Sequence, residues 1–228
     1  MLVASLCHDI DHPGVTNAYE VATGSDRALC HNDSSVLENH HSYVTFQILR
    51  KPQCNLMAGL CDGQPKQFRA QVISAILATD MAFHFDQCKS LQALKSHADF
   101  VPEDEKCRKL LVCLYIHSAD LSGQVFPAPV AIQWSDLIND EFQSQAELEE
   151  RHGLPVAVFM QGLDRPATRT KLQTGFINFV LIPWWGTVCR LFPVLQPCLD
   201  NLLANKANYE TMIQNYEAAE SSASNKTN

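Results

Sequence analysis

The chain has 228 residues, 46% hydrophobic and 18% charged, proportions of a globular protein rather than a disordered one. Its formal net charge is −8, from 17 Lys and Arg against 25 Asp and Glu. No basic run is interleaved with aromatics, which argues against nucleic acid as a partner. Nine cysteines without a CxxC pair suggest neither a zinc ribbon nor a disulfide framework and fit a reducing, intracellular compartment. No apolar stretch is long enough to span a membrane.

Helical periodicity dominates along the chain, and no alternating strand pattern stands out. The opening Met1–Cys7 run reads as a buried helix rather than a secretion signal, because it lacks a basic start and its apolar stretch is short. Pro13-Gly14 stops that pattern, and Asn32-Asp33-Ser34-Ser35 begins the next. Ser35 and Glu38 have the spacing of a capping box, followed by Leu37, Val44 and Ile48 on one face. A third helix follows Pro65 with Val72, Ile73, Ile76 and Leu77 as its apolar stripe. A fourth is predicted over 103–120, and a long amphipathic helix with an acidic, solvated end over 132–150. Residues 153–166 read as a loop or broken helix, and 168–181 as a helix that Pro183 ends or kinks. Two further helices divide near Pro193 and Pro197, and a polar, frayed tail is expected over 221–228. With no internal repeat and no Gly- or Ser-rich linker, the expected fold is all-α, a compact multi-helix bundle forming one domain over 1–220.

The run His8-Asp9-Ile10-Asp11-His12 concentrates metal-ligand chemistry in five residues. On a helix, His8 and His12 would share a face, with Asp9 beside them, although Pro13 biases His12 away from helical geometry. Imidazole nitrogen with carboxylate oxygen suits zinc, magnesium or manganese. Two ligands do not close a site, and Asp120, at the end of an otherwise apolar helix, is the best further candidate, although taken alone it reads better as an Asp in a solvated turn. His117 on the same segment reads as a core histidine. Glu38 is already explained by the capping box, the adjacent His40 and His41 are poorly placed to share one ion, and Thr79-Asp80 reads as a helix stop. Gln173 and Phe176, three apart, could offer a planar amide and a ring to one ligand.

Taken in order, His8 to Asn17, Asn32 to His41, Leu77 to Met81, His117 to Ser122, Gln133-Trp134 and Gln173 to Ile177 resemble the motif series of class I cyclic nucleotide phosphodiesterases, nearly to Tyr216. The resemblance implies hydrolysis of a 3′,5′-cyclic nucleotide, cAMP or cGMP or both, to the 5′-monophosphate by a hydroxide bridging two metals. His8, Asp9 and Asp120 match ligands of the first metal, usually Zn²⁺. By the same resemblance Asp9 would also bridge to the second, usually Mg²⁺ or Mn²⁺. Glu38, Thr79 and His12 match residues that orient its waters, a role the resemblance favours over the capping box for Glu38. Gln173 matches the glutamine that hydrogen-bonds the base and Phe176 the ring that stacks on it, while Ile138 matches the opposing apolar wall.

Departures from the pattern carry their own expectations. The family's segment with two further histidines, one a metal ligand and one the general acid, would precede Met1, together with N-terminal helices of the fold. On that expectation the isolated chain is inactive or weak, since loss of a general acid alone costs about 10²–10⁴-fold. His31 stands where the family often has Tyr, Gly123 is a variable position beside the base pocket, and Asn208 replaces an aromatic. The alternative reading is a truncated, non-catalytic nucleotide-binding or interaction module. An HD-type phosphohydrolase acting on other phosphoesters survives only if the Gln173 and Phe176 match is accidental. The resemblance leaves room for a cytoplasmic homodimer formed through the parent protein, with any membrane association arising from N-terminal regions.

Overall fold

The computed structural model describes residues 1–101 and 103–224. Among them all regular structure is helical, as expected, and the chain forms two compact units. The first comprises Met1–Leu94 and Ala98–Asp120; the second comprises Lys95–His97 and the chain from Leu121 onward.

In the first unit, α1 (Leu2–Cys7), α4 (Val36–Leu49), α5 (Gln64–Leu77) and α7 (Glu105–Asp120) meet around one apolar core. Ala4, Phe46, Leu49, Val72, Ala75, Ile76 and Ile116 form that core, and α5 supplies its central stripe. The geometry bears directly on the HD run. His8 and Asp120 each stand four residues, about one helical turn, beyond a core residue, Ala4 and Ile116. The opening helix is buried on that side only, because Leu2 and Leu6 are 88% and 85% exposed. Three short helices escaped the periodicity: α2 (Asn17–Ala22), α3 (Asp26–His31) and α6 (His84–Gln92). At six residues, α2 and α3 are too short to show a stripe, but each starts at a hydroxyl cap, Thr16 and Ser25.

The capping box at Ser35 does not form. Ser35 has a left-handed backbone (φ 40°) and no side-chain cap bond. Its hydroxyl instead donates to Asp80 Oδ2 at 2.7 Å, while Asp80 Oδ1 accepts from the Ala82 N–H at 2.8 Å. The buried face of α4 runs through Leu37, His41, Ser42, Thr45, Phe46 and Leu49, leaving Val44 and Ile48 half-buried. Ser35→Ala is expected to cost about 1.5–3 kcal/mol, the worth of a hydrogen bond to a charged group. Urea unfolding of Ser35→Ala, Asp80→Ala and the double variant would read this as a non-additive pair.

In the second unit, α8 (Ala128–Arg151), α9 (Pro166–Phe176), α10 (Ile182–Leu191) and α11 (Gln196–Ser224) account for most of the chain. Gln124 organises the turn before α8. Its amide donates to the Ala131 carbonyl at 2.9 Å, its Oε1 accepts from the Tyr209 hydroxyl at 3.2 Å, and its carbonyl accepts from Asn205 at 2.9 Å. The expected solvated end of α8 is only partly so. Glu149 is buried, accepting from Gln145 at 2.8 Å and from the Ala157 N–H at 3.0 Å, which ties the following loop to the helix. Between α9 and α10 a π-helical segment, Ile177–Leu181, carries the chain to Pro183. The wider turn accommodates a residue that has no N–H to give an α-helical ladder. Helix α11 continues through 221–224, and the rest of the expected tail, 225–228, lies outside the described residues. No helix among the described residues is long and apolar enough to cross a membrane.

Candidate metal centre

Helix α1 ends at Cys7, with His8 as its C-cap, and the backbone turns through Asp11, which has φ 62°. His8 and His12 therefore do not share a helix face as their spacing suggested. The turn instead brings His8 to Asp9 and to the end of α7. His8 Nε2 lies 3.2 Å from Asp9 Oδ2 and 3.3 Å from Asp120 Oδ1. His8 Nδ1 is 2.9 Å from the Ser5 carbonyl, which places a proton on Nδ1 and aims Nε2 at the carboxylates.

These three residues fit a divalent cation. Their ligand atoms all lie within 4.8 Å of one another. Bonds of about 2.0–2.2 Å at tetrahedral angles put neighbouring ligand atoms roughly 3.3 Å apart, close to the two distances from His8. The chemistry of the cluster agrees. The carboxylates of Asp120 and then Asp9 push the His8 pKa up to about 11, so a proton stands where a cation would go. Burial works against ionisation of Asp9, but its hydrogen bond to His8, with the charges of His8, His12 and His41, holds its carboxyl below the usual range.

Histidines that the sequence reading set aside brace the turn. His40 Nε2 lies 2.8 Å from Asp11 Oδ2, across the residue with positive φ. His41, 1% exposed, donates from Nδ1 to the Ile10 carbonyl at 2.7 Å and turns Nε2 to within 3.8 Å of Asp9 Oδ1. That buried Nε2 has no hydrogen-bond partner, and burial lowers the His41 pKa. His41 is thus a member of the site that sequence reasoning missed. Its i+3 spacing from Glu38 was the available signal. His12 accepts from the Gly14 N–H at Nδ1, 3.0 Å, which leaves its proton on Nε2, and its ring stacks on His41 at 5.7 Å.

Glu38 is clasped by Asn17, whose Nδ2 lies 3.0 and 3.3 Å from its two oxygens. Burial raises the Glu38 pKa; the Asn17 bond opposes that rise and the charges of Asp80 and Asp9 add to it. Thr79 is buried and donates to the Ile76 carbonyl at 2.8 Å, so it closes α5 as a helix stop. The other candidates belong to the second unit. Gln173 is buried on α9, Phe176 is half-buried one turn later, and Ile138 on α8 is 41% exposed.

Among the described residues an all-helical chain thus brings one histidine and two aspartates to a cluster able to hold a divalent cation, and comparison with known proteins supplies the family. Residues 1–202 match the 3′5′-cyclic nucleotide phosphodiesterase family, and the chain belongs to that family. It is 39% identical over 216 residues to the high affinity cGMP-specific 3′,5′-cyclic phosphodiesterase 9A of Mus musculus, covering 94% of this chain and 40% of the relative. It is 34% identical over 219 residues to the 3′,5′-cyclic-AMP phosphodiesterase 4C of the same species, covering 93% and 32%. The crystal structure of the phosphodiesterase domain of Salpingoeca rosetta rhodopsin phosphodiesterase superposes with a TM-score of 0.92 at 36% identity, over 97% of this chain and 68% of that one. The chain thus spans well under half the length of these curated relatives.

Proposed function

We propose that this chain takes part in hydrolysis of a 3′,5′-cyclic purine nucleotide to the 5′-monophosphate, with His8, Asp9 and Asp120 holding Zn²⁺ and Asp9 shared with Mg²⁺ or Mn²⁺. The observation that supports this most is the approach of His8 Nε2 to two carboxylates at 3.2 and 3.3 Å. Such cations, when bound, neutralise charge on phosphate oxygens and make a hydroxide nucleophile available near neutral pH.

The chain's own residues have separable tasks in that reading. Ser5 fixes the His8 tautomer through Nδ1. His12 presents its Nε2–H and Glu38 its carboxylate as orienting partners for water, while the Thr79 hydroxyl, already donating to Ile76, keeps lone pairs to accept one. Gln173 offers an amide that can present donor and acceptor in either order, so it suits adenine and guanine alike, and Phe176 and Ile138 supply apolar contact to the base. Water adds to phosphorus, the bond from phosphorus to the 3′-oxygen breaks, and that oxygen takes up a proton. Protonation of that oxygen is a separate task, assigned to none of these residues.

The test is a phosphorus NMR assay of the chain with zinc and manganese, using 3′,5′-cGMP, 3′,5′-cAMP and a linear phosphodiester. Expected is 5′-monophosphate from the cyclic substrates alone, lost in His8→Ala and Asp120→Ala. Undiminished hydrolysis in Asp120→Ala would remove the metal assignment. Tight nucleotide binding without turnover would favour the non-catalytic module.

A further inference from the structure

Asn17 opens α2, one short loop beyond the HD run, yet its side chain is spent on a different helix. Its Oδ1 accepts from the Leu37 N–H at 2.8 Å, and its Nδ2 reaches both Glu38 oxygens, at 3.0 and 3.3 Å. Leu37 lies in the first turn of α4, where N–H groups have no partner within the helix. Ser35, the local N-cap, does not serve them with its side chain. One amide therefore does two things at once: it caps α4 from outside, and it grips the adjoining carboxylate.

We propose that Asn17 is the positioning residue for Glu38, holding its carboxylate in one rotation so that the remaining lone pairs can order water. The proposal rests on the water-orienting role given to Glu38 above. A carboxylate on a glutamate side chain otherwise rotates freely about its last bond. Here the Nδ2 contact spans both oxygens, and an ionised carboxylate keeps further acceptor sites beyond it. Aspartate at position 17 could not do this. It would keep an acceptor for Leu37 but lose both donors, and it would set a like charge against Glu38, which already faces the charges of Asp80 and Asp9.

That contrast supplies the experiment, made on the full chain as Asn17→Asp, Asn17→Ala, Glu38→Gln and the double variant Asn17→Asp/Glu38→Gln. Carbon-13 NMR of labelled glutamate carboxyls, with Glu38→Gln assigning the signal, should show Glu38 titrating at least about one pH unit higher in Asn17→Asp, because the pair then shares a proton. Asn17→Asp should keep its helix content by circular dichroism, since the Leu37 N–H retains an acceptor. Calorimetric titration of the zinc-loaded chain with Mn²⁺ should show Asn17→Asp and Glu38→Gln each about 10-fold weaker, the low end for outer partners of metal ligands. The double variant should be no weaker than either single one. An Asn17→Asp chain that is folded, titrates Glu38 as wild type does and binds Mn²⁺ as wild type does would overturn the proposal. If Glu38→Gln alone leaves Mn²⁺ binding unchanged while Asn17→Asp still moves the Glu38 titration, the clamp stands, and the role given to Glu38 is what fails.

Discussion

Replacing Asp120 by alanine is expected to weaken zinc binding by the chain more than ~100-fold, since even outer partners of metal ligands are worth about 10–100-fold. Asp120 Oδ1 is 3.3 Å from His8 Nε2 and is the only ligand of the cluster brought by a different helix. Its loss leaves His8 and the neighbouring Asp9, a pair on one exposed turn. The fold should survive, because α7 is anchored by Ile116, one turn earlier, and not by the carboxylate itself. Asp120→Asn sharpens the test, keeping shape and one oxygen while removing the charge. It also removes the largest cause of His8's raised pKa. Competition with a chromogenic chelator at constant pH, beside circular dichroism, would measure both variants. Wild-type affinity in Asp120→Ala would take Asp120 out of the site.

Acid should destabilise the first unit through a buried imidazole. His117 is fully buried, with Nε2 2.9 Å from His84 Nδ1. Burial, and then the charge of His84, lower the His117 pKa from 6.5 to about 4. The sign follows from which state binds the proton. Below 6.5 the unfolded chain protonates this histidine while the folded chain resists, so its contribution is complete above pH 6.5 and is lost as pH falls towards 4. At about 1.4 kcal/mol per pKa unit this is a loss of up to about 3.5 kcal/mol, a large share of a typical stability. Urea unfolding at steps between pH 7 and 4.5 should show the decline, and His117→Gln should show a shallower one. Equal slopes in the two proteins would mean that His117 ionises in the folded state as freely as in the unfolded.

The pattern of what sequence reveals is physical. The HD run was legible because a cluster of donors within five residues needs no tertiary information to attract notice. Asp120 was singled out by its place in the motif series, because a carboxylate at an exposed helix end reads, taken alone, as a solvated turn. Helices long enough to repeat a stripe, such as α5 and α8, could be read, whereas α2 and α3 could not.

Ser35 and Glu38 fell the other way. Their spacing satisfies a local rule, but the Ser35 hydroxyl goes to Asp80 and Glu38 goes to Asn17, both distant in sequence. The left-handed Asn32, Asp33 and Ser35 turn the chain so that these distant partners come within reach. His40 and His41 were set aside because adjacent side chains diverge on a helix. That divergence is what lets one hold Asp11 and the other hold Ile10, on the same turn.

The most direct measurement is anomalous diffraction from crystals grown with zinc, recorded on both sides of the zinc absorption edge. The expected result is a peak about 2.0–2.2 Å from His8 Nε2 and from one oxygen each of Asp9 and Asp120. A zinc peak bonded elsewhere, or none in crystals equilibrated with the ion at neutral pH, would contradict the assignment of this cluster as the metal centre.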